Sequence, residues 1–218
     1  MAKPNWWKRP VTYAAVGGTK AADLLQYPPR GYRPFERRAR IGHGPARWEF
    51  AWASALSWGI QRNSGFTVEV TDTPDAVTDL TYTPVGFDTG GTPVVPASTE
   101  DADEITFGPD GTQFVVPGVT AKLSIPFGPV RIGAPCRVVY VIDEKDRKGF
   151  AYGTLAGHPA SGEEAFIVER TDDGSVWLTI RAFSRPANAA WWLGYPGLRF
   201  AQWFYTRRYF KALTGPVD

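Results

Sequence analysis

The chain is 218 residues long, 43% apolar and 14% aromatic, with 24 Lys+Arg against 22 Asp+Glu and a formal charge of +2. That size and composition supply a real core for one compact domain and exclude disorder, collagen and coiled coil, while near-balanced charge gives by itself no case for an acidic partner. One cysteine and two histidines exclude a disulfide framework and a structural zinc set.

The first ten residues have no apolar core of a signal peptide, and the longest apolar-leaning run, 51–60, is half a bilayer span between Glu49 and Arg62. A soluble, cytoplasmic protein in a reducing compartment is therefore expected. Charge is unevenly spread: residues 1–47 carry ten Lys/Arg against Asp23 and Glu36, whereas 71–104 carry eight acids and no base. Beyond Gly174 the only acid is Asp218, so both ends are basic and would form one positive surface if they meet.

In chain order, residues 35–41 read as a first strand whose Arg37, Arg38 and Arg40 forbid burial on both faces. Gly44-Pro45 opens a helix over 46–62 that Gly65 follows, with Trp48, Trp52, Ala55, Leu56 and Gly59 on one apolar face. Strands are expected at 66–70, 104–107, 113–116 and 121–125. The Thr/Pro-rich acidic stretch 71–104, with Pro74, Pro84, Pro93 and Pro96, reads as a surface excursion.

Residues 137–143 and 150–155 flank the charged turn 144–149 as one hairpin, and 163–170 and 175–183 flank Thr171-Asp172-Asp173-Gly174 as another. A last helix over 197–213 carries Trp203, Phe204, Tyr205, Tyr209 and Phe210 on more than one face, which predicts that it is enclosed. Strand, helix, antiparallel strands and a long C-terminal helix make an α+β domain over 1–218: a curved antiparallel sheet wrapped around the last helix, the helix-grip arrangement. A cavity follows wherever that helix fails to fill the groove.

The most unusual segment is 149–164, which puts His158 on a Gly/Pro turn with Tyr152 upstream and Glu163 and Glu164 downstream. A turn histidine near a carboxylate suits a general base or a ligand contact; the plainer alternative is a turn residue bonded to backbone. Neighbouring strand residues point to opposite faces, so Glu163 and Glu164 are no facing pair, and two-carboxylate glycosidase chemistry is disfavoured. At most one enters a cavity, where Arg137 or Arg181 would supply its counter-charge; the other is expected to pair with a surface arginine.

His43, in Gly42-His43-Gly44-Pro45, stands at a helix start that favours a ligand's anionic group, or is simply a turn. Ser184 follows Ile180 and Ala182 on one face without a nucleophile elbow around it. Trp191, Trp192 and, in the last helix, Trp203 are candidates to wall an apolar pocket, or belong to core. Cys136 reads as a small apolar residue. Two histidines over a hundred residues apart make a facial metal triad with a glutamate a poor reading, and neither metal nor cofactor is expected.

Tyr27-Pro-Pro-Arg-Gly-Tyr32, Arg40-Ile-Gly-His-Gly44, Cys136-Arg-Val-Val-Tyr140, Gly149-Phe-Ala-Tyr-Gly-Thr-Leu-Ala-Gly-His-Pro-Ala-Ser-Gly-Glu-Glu-Ala-Phe166 and Arg181-Ala-Phe-Ser-Arg-Pro186 resemble the blocks of a domain-of-unknown-function family, serial number nineteen-ninety, over about residues 11–213. The family brings no activity to transfer. More distantly the order of elements is similar to START/Bet v 1-like (SRPBCC) helix-grip proteins, which implies hydrophobic-ligand binding and, in some members, cyclase or hydrolase activity.

The leading expectation is a small, largely apolar molecule bound between sheet and C-terminal helix, with His158, Tyr152 and one glutamate orienting its polar group. A cyclase- or hydrolase-type enzyme with His158 as general base is the first alternative. An interaction module is the second, with Arg30, Arg33, Arg37, Arg38, Arg40 and Arg47 gripping an acidic protein or, less favoured without a motif, nucleic acid. Oligomeric state is not legible.

Overall fold

The computed structural model describes residues 6–71, 86–87, 93–94 and 113–216. Seven strands form one sheet in which every neighbouring pair is antiparallel: β1 (Arg33–His43), β2 (Thr67–Thr71), β5 (Thr120–Phe127), β6 (Val130–Asp143), β7 (Arg147–Thr154), β8 (Ala160–Arg170) and β9 (Ser175–Pro186), in the order β1-β9-β8-β7-β6-β5-β2. A separate short ladder pairs β3 (Gly86–Phe87) with β4 (Pro93–Val94). The expected strand at 104–107 and most of the acidic excursion lie outside the described residues.

Local chemistry accounts for the joints. In the β8–β9 turn Gly174 takes φ 76°, and the Asp173 carboxylate accepts from the Thr171 hydroxyl at 2.6 Å and the Ser175 amide at 3.1 Å. β1 is an edge strand, and its alternation turns Ile41 inward while its arginines stay exposed. Residues 113–116 are not a sheet strand: they run as a connector whose Val115 amide donates to the Leu56 carbonyl at 2.8 Å.

The first helix differs from expectation. It is α1 (Pro45–Leu56), a break at Ser57-Trp58, and the short α2 (Gly59–Asn63). Trp58 is left-handed at φ 62° and 1% exposed, wedged edge-on against Phe150 at 4.9 Å. Burial of the indole against the sheet holds a backbone state that local propensity opposes. Arg62 donates to the Ser57 carbonyl at 2.6 Å and satisfies an acceptor freed by the break.

The sheet's inner face carries Cys136, Val138, Phe150, Tyr152, Phe166, Val168, Leu178 and Ile180, packed with Trp48, Ala51 and Ala55 of α1. α3 (Ala189–Leu193) and α4 (Tyr195–Ala212) complete this layer. Inner-face residues of α4 tie it down: Tyr205 rests edge-on against Phe66 at 4.7 Å and donates to the Pro126 carbonyl, and Tyr209 meets Phe166 at 5.1 Å. Gln202 donates to the Ser184 hydroxyl at 3.1 Å.

The helix is gripped on that face only. Phe200, Trp203 and Phe204 are 61%, 46% and 39% exposed, which corrects the expectation of an enclosed rod. Phe200 and Phe204 form an outer stripe beside Arg208, and Trp203 stands at its edge with Arg207 stacked on the ring at 4.1 Å.

The outer face of the sheet is covered too. Residues 6–32 cross it as a strap: Arg137 donates to the Trp7 and Arg9 carbonyls at 2.6 and 2.9 Å, Arg181 to the Ala21 carbonyl at 2.8 Å, and Tyr13 and Tyr32 pack edge-on against Phe183, each at 5.4 Å. Among the described residues, no helix is long and apolar enough to cross a membrane.

Candidate functional site

Between β5–β9 and α4 lies a cavity of about 910 Å³. One wall is Leu123, Ile125 and Ile132 with Phe66; the opposite wall is Leu198, Ala201 and Tyr205 of α4. It exists because α4 is anchored through its later turns by Tyr205 and Tyr209, while the small Gly162, Ala182 and Ser184 line the sheet beneath its first turns and leave room there.

A polar cluster sits in this apolar chamber. Tyr152 and Glu164 are cross-strand partners on β7 and β8, and the phenol donates to the carboxylate at 2.5 Å. The buried Tyr209 of α4 lines the same part of the cavity. Desolvation pushes the Glu164 carboxyl up to about 7, with the Tyr152 hydrogen bond opposing, so near neutrality the group exchanges between acid and carboxylate. Burial, with the Glu164 charge adding, likewise raises Tyr152 well above the ordinary phenol range. The pair is poised to offer a ligand either a donor or an acceptor.

Glu163 points the other way. Its carboxylate is 2% exposed and accepts from the Tyr13 hydroxyl at 2.7 Å, the Gly17 amide at 2.7 Å, and the Thr19 amide and hydroxyl at 2.9 and 2.5 Å. Opposite-face placement of the two glutamates holds, but the expected surface arginine is corrected: four hydrogen-bond donors of the strap satisfy Glu163 instead of a cation. Arg137 and Arg181 are corrected with it. Both serve the strap, Arg181 also pairing with Glu36 at 2.7 Å, and neither reaches Glu164.

His158 lines the cavity, but its partner is the backbone of its own turn: Nδ1 lies 2.9 Å from both the amide and the carbonyl of Ala160. Burial lowers the imidazole to about 4, so it is neutral at physiological pH. No carboxylate orients it among the described hydrogen bonds, and the plainer turn reading describes its bonding. Its ring remains part of the wall.

His43 stands outside the cavity, its Nε2 2.8 Å from the Asp173 carbonyl at the β8–β9 turn. Ser184, Trp191 and Trp203 line the cavity, while Trp192 stands outside it, 54% exposed and tilted against Tyr195 at 5.4 Å. Cys136 is fully buried and burial drives its thiol upward, in keeping with an apolar role. Among the described residues no three His, Cys, Asp or Glu side chains cluster as metal ligands.

Sequence reasoning missed Tyr209, Thr206 and Gln202, the α4 residues that close the chamber. Their signal was present: 202, 205, 206 and 209 form one stripe at helical spacing, polar at its centre, opposite the aromatic outer stripe. The basic run from the first strand into α1 is also split. Arg33 and Arg37 line the cavity, Arg38 pairs with Glu169 at 3.4 Å, and Arg47 donates to the Leu213 and Gly215 carbonyls at 2.5 Å.

The profile of the family described as "Domain of unknown function (DUF1990)" matches residues 12–108 and 99–212. A UPF0548 protein of Deinococcus radiodurans is 50% identical over 66 residues, which is 30% of this chain and 30% of that protein. A UPF0548 protein of Arabidopsis thaliana is 42% identical over 90 residues, 38% of this chain and 44% of that one. The chain thus spans less than half the length of these curated relatives. Among solved structures, hypothetical protein jhp0584 of Helicobacter pylori is similar with TM-score 0.51 at 8% identity, covering 91% of this chain and 94% of that one, a likeness of fold alone. Ara h 8.0201 superposes with TM-score 0.43 at 11% identity over 85% of this chain and 100% of that one.

Proposed function

We propose that this chain, which belongs to the family described as a domain of unknown function (DUF1990), is a binding protein for a small, largely apolar molecule held between the sheet and α4. The observation that carries the reading is the cavity of about 910 Å³ with aliphatic and aromatic walls and one convergent polar cluster, Tyr152, Glu164 and Tyr209. That volume and that mixture are what ligand chambers have: apolar area for affinity, a few polar groups for orientation.

Burial of an apolar ligand contributes on the order of 25 cal/mol per Å² removed from water, about 8 kcal/mol for a ten-carbon chain before the cost of immobilisation. Tyr152 and Glu164 orient the ligand's polar group; His158 and Trp191 form part of the wall. The inward-facing cavity residues support binding more directly than turnover, because His158 and Glu164 are each bonded elsewhere and not to each other.

The test is a titration with the neutral fluorescent probe N-phenyl-1-naphthylamine, whose emission rises in apolar surroundings. The parent protein is expected to bind it saturably, one probe per chain. Ala182→Trp, which fills the chamber from β9, is expected to abolish that signal while the far-ultraviolet circular dichroism stays unchanged. A signal equal in parent and variant refutes the reading.

A further inference from the structure

The cavity has a polar interior end and a differently charged mouth. Arg33 and Arg37 stand two residues either side of Phe35 on β1, and the β1–β9 register puts Arg33, Phe35 and Arg37 opposite Ser184, Ala182 and Ile180. All three β1 residues therefore face the cavity side of the sheet. Both arginines line the cavity and are exposed, which places them at its rim. Arg199, from the first turns of α4, lines and is exposed at the same rim.

Arg33 is held at the rim by a phenol and not by a carboxylate. Arg33 donates to the Tyr195 hydroxyl at 2.8 Å, and Arg199 stands one turn of α4 beyond that residue. Among the described residues, none of Arg33, Arg37 and Arg199 forms an ion pair, although seven such contacts occur elsewhere, including Arg38 with Glu169 and Arg181 with Glu36. Gly194, Tyr195, Pro196 and Gly197, the start of the 18-residue α4, line the cavity too and add the positive end of the helix dipole. Arg185 also lines the cavity, but its guanidinium is engaged by stacking on Tyr32 at 4.7 Å.

Guanidiniums lining one rim, with donors left over and no carboxylate, are arranged for an anion with several acceptor oxygens. The interior is arranged against one, because Glu164 already occupies it and a second anion there would face a like charge in a desolvated site. Polarity thus runs from cationic rim through apolar wall to the Tyr152–Glu164 end.

Resting on the ligand-binding reading, we propose that the ligand is an anionic amphiphile whose carboxylate or phosphate head lies at the rim between Arg33, Arg37 and Arg199 and whose apolar chain runs inward toward Tyr152. The aromatic Phe35, Tyr195 and Trp203 wall the first part of the chain.

Calorimetric titrations with decanoate, decyl phosphate, decan-1-ol and decylamine, which share one chain, test the head group; inorganic phosphate tests the head alone. At least one of the two anionic amphiphiles is expected to bind about tenfold or more tightly than decan-1-ol, and the tighter of the two identifies the head. Arg33→Gln and Arg199→Gln are each expected to weaken that amphiphile about tenfold and leave decan-1-ol unchanged, whereas Arg38→Gln, outside the cavity, changes neither. Equal affinity for acid, alcohol and amine, or indifference to both rim substitutions, overturns the head-group assignment and leaves the apolar cavity standing. Inorganic phosphate binding as tightly as decyl phosphate also overturns it, by showing a plain anion site. Failure of all four chains to bind overturns the cavity reading itself.

Discussion

Replacing Glu164 by Gln removes the carboxyl that faces the chamber and keeps an acceptor for the Tyr152 hydroxyl. The consequence is a pH dependence of stability whose direction follows from the burial. The carboxyl is raised from 4.5 to about 7 by desolvation, so between those values the folded protein holds a proton that the unfolded chain has released. Native stability conferred by the neutral acid is full below pH 4.5 and is lost as pH rises to 7, by about 3 kcal/mol. His158 works in the opposite sense. Its imidazole is lowered from 6.5 to about 4 by burial, so the unfolded chain binds the extra proton and stability falls by about 3 kcal/mol as pH drops through that window.

In the parent protein the two trends oppose one another between about pH 4.5 and 6.5 and largely cancel. Urea unfolding from pH 4 to 8 separates them. The stability of Glu164→Gln relative to the parent is expected to climb with pH, by about 3 kcal/mol between pH 4.5 and 7; that of His158→Gln is expected to be greatest at pH 4 and to decline by a similar amount toward pH 6.5. A Glu164→Gln difference that is flat across pH, or that falls as pH rises, refutes the claim that this carboxyl is held in a dry chamber.

Glu163→Ala leaves four strap donors without their acceptor and is expected to cost about 3 kcal/mol or more, lowering Tm by roughly 6–12 °C in differential scanning calorimetry. Gly153→Ala is expected to destabilise by about 1–3 kcal/mol in urea, because a β-carbon there overlaps the Tyr13 ring that Glu163 holds in place. Trp58→Ala is expected to lose about 3–5 kcal/mol in the same assay through the cavity it opens against Phe150. Limited proteolysis of Glu163→Ala is expected to cut first within residues 6–32, while the parent resists there.

Hairpins were legible because their signals are local. Thr171-Asp172-Asp173-Gly174 and the charged run from Glu144 each carry the turn chemistry that closes them, and strand alternation alone separated Glu163 from Glu164. The strap was not legible. Arg137, Arg181 and Glu163 are recruited by residues 7–21, far away in sequence, and no periodicity in 6–32 announces that it will cover a sheet. Gly153 held a trace of it, as a residue without a side chain on the face where the Tyr13 ring approaches.

Aromatic content misled in α4. An aromatic residue satisfies a core, a cavity wall and an exposed surface alike, so Tyr209 inside and Phe200 outside were indistinguishable until the anchors at Phe166 and Pro126 fixed the helix rotation. The break at Trp58 escaped for a related reason: its left-handed backbone is held by contact with Phe150 and not by any breaker residue at that position.

Methyl-resolved NMR during titration with decan-1-ol tests the account at its centre. Saturable shift changes are expected at Leu123, Ile125, Ile132, Ala182 and Ala201, the aliphatic lining of the chamber, with the outer-face methyls of Ile142 and Ile167 unmoved. Changes confined to the outer face, or none at the five lining residues, contradict a chamber between sheet and C-terminal helix that takes an apolar guest.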